Sequence, residues 1–473
     1  VLAGAARLGL APESVALALG SASMAIGVAL AMALAWRVHA ATHASARDGR
    51  ARIAVALFLP GALLAASPEW VVWGNGGLET AFAAAWVLAA LAAFTGDRPV
   101  VAAACAAAAV LTRPDSAVPL FAWVIGWAIG LDAAARRSEL ARWRRLALAL
   151  AVLVVPLAVH LLWRKSYYGS WLPNTWAVKA HGARLRDTWG VTYVHAWTAG
   201  VGLVALAPLA LLLRRRHTPF VLAIAATLAY GWWVGGDFMA YSRFFVVATA
   251  LVAVLAAVLV ADAVAWLERH GDSRVRTWGP WVAVALGVAA VITTGVRANE
   301  RRAIDRAKPE GWLDGRWEGV TAMDRFAKVG LAAGARMREM LPADTLVTVG
   351  AAGAVPYASG LPTIDAFGLV DPVIAHMSDP PLVDDRRARP GHQLVAPPDY
   401  IRSRDPDLVC HVGYRGAAPP SERDARAPFR SGWVWACIEP EPFPDRWAKG
   451  GVLDPGVYCC RRPRDRVVGP FGR

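Results

Sequence analysis

Between Val15 and Val296 the chain repeats apolar runs approaching twenty residues, the length a helix needs to cross the hydrocarbon of a bilayer. No soluble core calls for so many of them. The runs predict ten spans, near 15–36, 52–66, 80–94, 99–112, 117–131, 145–163, 197–213, 219–235, 244–267 and 279–296. With 56% hydrophobic residues and a positive mean hydropathy, the expected class is a polytopic α-helical membrane protein. The first residues, "VLAGAARLGLAPESVALALG", show no basic n-region or small-residue cleavage site, so no signal peptide is assigned. A further N-terminal part of the protein is expected ahead of Val1.

A net charge of +14 could point to nucleic acid, but its distribution does not. From Arg297 onward, 26 Lys+Arg face 23 Asp+Glu, so most of the excess lies in the hydrophobic part. There it concentrates in alternate short loops: "RVHAATHASARDGRAR", "TGDRP", "DAAARRSELARWRR", "RRRH" and "ERHGDSRVR". These hold 16 Lys+Arg, against 7 in the intervening loops, which places them in the cytoplasm and the others outside. Trp36, Trp70, Trp73, Trp163, Trp171, Trp232, Trp233, Trp266 and Trp278 fall near span ends, where an amphipathic ring anchors at the headgroups.

Two domains are predicted: 1–296 in the membrane, and 297–473 as an extracytoplasmic α/β domain. In the latter, "DTLVTVGAAGAVPYASGLPTIDAFGLVDP" reads strand, glycine loop, strand. "GAAGAVPYASG" lacks the order and the partner acid of a dinucleotide site, so a turn needing small residues is expected. Cys410, Cys437, Cys459 and Cys460 lie in this domain, where an oxidising compartment allows one or two disulfides; the pairing stays open.

The outer loops gather the acids Glu79, Asp115 and Asp237, the bases Arg113, Lys179 and Arg243, and Asn75, Tyr167, Tyr168, Asn174, His181 and Tyr241. A lipid-linked phosphosugar needs cations for its phosphate, a carboxylate for the attacking hydroxyl, polar groups for the sugar and an apolar flank. Lys179, Arg243 and Arg113 suit the donor phosphate. Asp237, Glu79, Asn174, Tyr168 and Asp115 suit the sugar or acceptor. Bland readings stand beside these: Arg113 ending a span with Asp115 capping the next, Glu79 capping a helix at Thr80, Lys179 snorkelling to headgroups, and Asp237 pairing with Arg243 to fix the loop. No spacing typical of a metal site occurs; no cofactor is assigned, and a divalent cation is left open.

Four stretches in order resemble the integral-membrane glycosyltransferases of the C-type superfamily. They are "GNGGLETAF" with "LTRPDS", "YYGSWLPNTWAVKA", "GGDFMAYSRFF" and "TIDAFGLVDPVIAH". Within that group they are similar to the terminal arabinofuranosyltransferases of actinobacterial cell walls and their bacterial relatives. The resemblance implies a multi-pass protein of the bacterial cytoplasmic membrane, with a polyprenyl-phosphate sugar as donor. A pentose or hexose would pass to an envelope glycan, lipid or protein on the outer face. The resemblance also implies a catalytic carboxylate in a first outer loop, upstream of Val1, so the catalytic residue is unknown here. "RPGHQL" departs from the R-x-G-H-(E/D)-K of relatives, which withholds a role from His392. A transporter or flippase is the competing reading, but it expects ionisable groups at mid-span and repeated halves. A non-catalytic glycan-binding scaffold is the third.

Overall fold

The computed structural model describes residues 2–42, 50–130, 143–180, 185–201, 213–307, 312–313, 317–378, 389–446 and 448–472. The chain divides into two compact units. The first holds Val1–Trp171, Thr188–Gly236 and Tyr241–Arg302; the second holds Leu172–Asp187, Asp237–Ala240 and Ala303–Arg473.

The first unit is helical: α1 (Leu2–Arg7), α2 (Pro12–Thr42), α3 (Arg50–Ala66), α4 (Pro68–Gly74), α5 (Thr80–Thr95), α6 (Pro99–Thr112), α7 (Ala117–Gly130) and α8 (Trp143–Tyr168). After α9 (Asn174–Ala180), which belongs to the second unit, come α10 (Val191–Gly200), α11 (Thr218–Trp233), α12 (Val246–His270) and α13 (Ser273–Ala307). The predicted windows fall on these helices, except that 197–213 lies largely outside the described residues.

The count of ten spans is not reached on length. Four described segments are long and apolar enough to cross a membrane: Pro12–Ala41, Arg144–Tyr168, Arg243–His270 and Thr277–Ala307. A fifth exists if α3 and α4, bent by 70° at Ser67, count together. Helices α5 and α6 are shorter than a straight crossing requires. The physical reason for the bend is visible at Ser67: its hydroxyl caps α4 by accepting from the Trp70 amide at 3.5 Å, and Pro68 opens the new helix.

Helix α12 is mostly enclosed, whereas α8 and α13 turn apolar side chains such as Leu150, Val155, Leu286 and Ile292 outward, as lipid-facing helices do. Described residues of some of the basic loops bond to neighbouring helices. Arg37 Nη1 donates to Ala92 O at 2.6 Å, Arg52 pairs with Glu268 at 3.2 Å, and Arg216 pairs with Asp262. Most of the interfacial tryptophans are exposed. Trp70 and Trp73 are not: both are buried within the helices, so they pack rather than anchor.

The second unit is built on a mixed five-stranded sheet, ordered β4-β3-β5-β9-β6. Its strands are β3 (Val347–Val349), β4 (Thr363–Asp365), β5 (Leu408–Gly416), β6 (Trp433–Ile438) and β9 (Val457–Pro463). Short hairpins β1–β2 (Trp312–Leu313, Trp317–Glu318) and β7–β8 (Phe443–Pro444, Val452–Leu453) accompany it. Strand β3 runs parallel to β4 and β5, while β9 runs antiparallel to β5 and β6. The strand, glycine loop, strand reading is met by β3, α15 (Ala354–Ser359) and β4.

Alternation along the strands gives the sheet two apolar faces. Val347, Val349, Leu408 and Ile438 pack with Ala333 and Met337 of α14 (Val320–Met340). Ile364, Val409 and Phe429 pack on the other face. Small residues let α14 approach α15: a Cβ on Gly334 would lie 2.6 Å from Val355 O. The four cysteines form two disulfides, Cys410–Cys460 and Cys437–Cys459. Adjacent residues of β9 point to opposite faces, so this strand is tied to β5 through one face and to β6 through the other.

Candidate active site

In the first unit, ends of α5, α6, α7, α11 and α12 meet around a narrow cavity of about 30 Å³. Its walls include Thr80 at the start of α5, Arg113 and Asp115 in the α6–α7 turn, Tyr230 near the end of α11, and Arg243 and Phe244 just before α12. Thus Arg113, Asp115 and Arg243, all predicted site residues, share one cavity, and Glu79 joins them through Arg113. The turn is local chemistry. Arg113 ends α6 in an extended conformation, and Pro114 opens a single 3-10 turn that leads into α7.

Arg113 is the hub. Its Nη1 donates to Glu79 Oε1 at 2.7 Å, and its Nε and Nη2 form a two-point fork on Asp115 at 3.1 and 2.7 Å. Its side chain is only 12% exposed, while that of Glu79 is 44% exposed. The position expected of a capping acid is met by Glu79 at the start of α5. Glu79 occupies the N-cap position of α5 but makes no side-chain cap bond, and the Asp115 carboxylate turns to Arg113. Burial alone would lower the Arg113 pKa, but the Asp115 and Glu79 charges outweigh it and raise it, so the guanidinium stays charged. Two acids on one base leave the trio net negative. Besides these two acids, Arg113 Nη1 lies 3.5 Å from Thr80 Oγ1.

Arg243 sits differently. Its guanidinium lies over the rings of Trp73 and Phe244, 5.9 and 5.5 Å from the centroids. Phe244 also carries Arg113 at 5.7 Å, so one ring lies beside both cations. The residues before it hold this shape. Tyr241 and Ser242 have positive φ of 60° and 41°, a conformation that costs energy without glycine. Trp73 Nε1 donates to Tyr241 O at 2.7 Å, and the Phe244 amide donates to Tyr193 Oη at 3.1 Å. Trp73, Tyr193, Tyr230 and Phe244 were not anticipated as site residues; they read as ordinary aromatics of apolar segments.

Tyr168, expected near the sugar, ends α8 as part of an exposed aromatic cluster with Trp163 and Tyr167, and Arg164 lies 5.1 Å from its ring. That arrangement suits an interfacial anchor.

The second unit takes up the other three predicted residues. Asn174 opens α9 and Lys179 lies in its last turn; both are half-buried. Ala177 and Val178 of this short helix are buried in the core beside Ile374 and Leu394. Asp237 is 3% exposed, and its Oδ1 accepts from the Met239 amide at 3.4 Å. The loop 237–240 then bridges to Glu318: the Glu318 amide donates to Phe238 O at 2.9 Å, and the Ala240 amide to Glu318 O at 3.1 Å.

His392, from which the sequence withheld a role, packs its ring against Phe238 at 4.7 Å and Phe367 at 5.4 Å. Burial pushes its pKa down to about 4, against an upward pull from Asp237 and a further downward push from Arg389, so the ring is neutral at ordinary pH. The acids of "TIDAFGLVDP" are structural. Asp365 accepts from the Phe367 and Val370 amides, and Asp371 caps α16 (Pro372–Ala375) and accepts from Tyr400 Oη at 2.9 Å. His181 lies outside the described residues. Among the described residues, no group of three His, Cys, Asp or Glu could hold a metal ion.

Residues 318–460 match a family described only as a domain of unknown function (DUF8728). No curated protein matches the chain. Among solved structures, the chain is similar to ArnT from Cupriavidus metallidurans bound to undecaprenyl phosphate, at 14% identity and a TM-score of 0.49, over 97% of this chain and 86% of that one. The apo state of the same protein gives 13% identity and a TM-score of 0.45, over 97% and 85%. At these values the likeness carries no conclusion about activity.

Proposed function

We propose that the chain is a membrane glycosyltransferase that moves a sugar from a polyprenyl-phosphate donor to a cell-envelope acceptor on the outer face of the bacterial cytoplasmic membrane. The observation that carries this reading is the cavity at the α6–α7 turn, lined by Arg113, Arg243, Asp115, Tyr230 and Phe244 at the ends of apolar helices, with Glu79 bonded to Arg113 and Trp73 beside Arg243. In the reaction, an acceptor hydroxyl attacks the anomeric carbon as the bond from that carbon to the phosphate oxygen breaks. The proton goes to a base, and the lipid phosphate leaves with the electron pair.

Arg243 meets the phosphate charge in this reading. Arg113 holds Glu79 and Asp115 in place, and Glu79, whose carboxylate is the most exposed of the trio, accepts from a sugar or acceptor hydroxyl. In the second unit, Lys179 is the residue proposed for phosphate, and Asp237 and Asn174 are those proposed for sugar or acceptor hydroxyls. An apolar crevice of about 450 Å³ between α5, α6, α7 and α8, lined by residues such as Phe94, Val110, Leu120 and Leu153, offers the flank that a polyprenyl tail needs. The two disulfides support an oxidising outer compartment for the second unit.

The test is direct. Full-length protein in detergent, given polyprenyl-phosphate pentoses and hexoses, is expected to release polyprenyl phosphate. Asp237→Asn is expected to slow that release by on the order of 10²-fold. A folded preparation that turns over none of these donors would overturn the proposal.

A further inference from the structure

The segment Arg389–Gln393, "RPGHQ", does three things within the second unit. A tight turn, with the His392 amide donating to Arg389 O at 2.9 Å and Gly391 at φ +81°, sends its side chains in different directions. Arg389 pairs with Glu318 at 3.7 Å, on the strand that bridges to loop 237–240. His392 stacks edgewise on Phe238, the residue after Asp237. Gln393, 3% exposed, donates from Nε2 to Val178 O at 3.0 Å, the carbonyl just before Lys179. One turn of the α/β unit therefore grips two segments that arrive from between apolar helices, each beside a predicted site residue.

We propose that the domain matched as one of unknown function acts as a clamp, with Arg389–Gln393 as the positioning element that fixes Asp237 and Lys179 for a common phosphosugar ligand. The ligand class rests on the glycosyltransferase reading; the clamp itself does not. The geometry assigns separate tasks to neighbouring residues. Gln393 holds α9, whose Ala177 and Val178 are already sunk in the core. His392 holds loop 237–240 by ring contact, as a neutral partner that adds no charge beside Asp237. Both are positioning residues, because each acts through a contact to another segment: the His392 ring on Phe238 and the Gln393 amide on Val178 O.

Hydrogen exchange on the full-length protein in detergent separates the two layers. Gln393→Ala is expected to speed exchange about tenfold in residues 174–180 while leaving 237–240 as in the wild type. His392→Ala is expected to do the reverse, and His392→Phe, which keeps a ring, is expected to restore protection. Arg336→Ala, which removes an exposed pair with Glu339 on α14, is the control and leaves both segments protected. Unchanged exchange in Gln393→Ala and His392→Ala, or a rise spread over the whole unit, overturns the clamp.

With a donor that the wild type turns over, both variants are expected to lower kcat about tenfold with a smaller change in KM. Loosened segments with wild-type turnover would overturn the positioning role. A wild type inert towards every donor would instead sink the glycosyltransferase reading, while the exchange pattern still decides the clamp.

Discussion

At Arg113 one guanidinium serves two carboxylates, and the consequences are specific to that residue. Arg113→Ala leaves Glu79 and Asp115 facing each other without a cation, and is expected to destabilise the fold by about 3 kcal/mol, read by thermal unfolding in detergent. Arg113→Lys keeps the charge but loses the fork, and a point charge cannot serve three acceptor oxygens with fixed geometry. It is expected to retain most of the stability and lose turnover. Part of this was legible in the sequence, since Arg113 and Asp115 share one turn. The Glu79 bond was not, because 34 positions separate the partners and no local period relates them.

A second residue-scale prediction concerns acid. His392 and His411 are both held down to about 4 by burial, against an ordinary value near 6.5. Above pH 6.5 each is neutral folded and unfolded and contributes no pH dependence. As pH falls from 6.5 towards 4, the unfolded chain takes up protons that the folded state refuses, so stability is lost across that window and levels off below it. The expected loss is up to about 3 kcal/mol per histidine. Unfolding midpoints of His392→Gln/His411→Gln measured between pH 7 and 4 are expected to be flatter than those of the wild type.

At the scale of elements, strand β9 is the most constrained in the second unit, joined covalently to neighbours on both sides. Closing chain loops of these lengths is worth about 3–4 kcal/mol for each bridge. Reductant is therefore expected to lower the unfolding temperature of the α/β unit while leaving the helical unit unchanged, as read by exchange in α12. The sequence showed four cysteines and a plausible compartment; only strand register could pair them, because Cys459 and Cys460 are adjacent and differ just in the face they occupy. The helices were legible from the long apolar runs. Their lengths as crossings were not, because a break such as the bend at Ser67 depends on capping and packing as well as hydropathy.

For the molecule as a whole, the charge asymmetry of the loops predicts a topology. A cysteine placed at Arg98, in a basic loop, is expected to resist an impermeant thiol reagent in intact cells. One placed at Glu441, in the second unit, is expected to react. The opposite pattern would reverse the orientation and remove the donor side from the proposed reaction. The change in composition after the last apolar run was legible. That residues 172–187 and 237–240 belong to the α/β unit was not. Ala177 and Val178 look like any helical pair, and the loop at Asp237 joins through backbone bonds that leave no mark in side-chain pattern.

That shared ownership bears on how the protein is made. Val178 leaves the ribosome well before Leu394, the residue it packs beside, so the second hydrophobic face cannot close until most of the chain has been delivered. Until then α9 and the loop at Asp237 must wait with their apolar side chains uncovered, and a nascent chain halted before Gln393 would offer a chaperone the same surface that the finished protein hides.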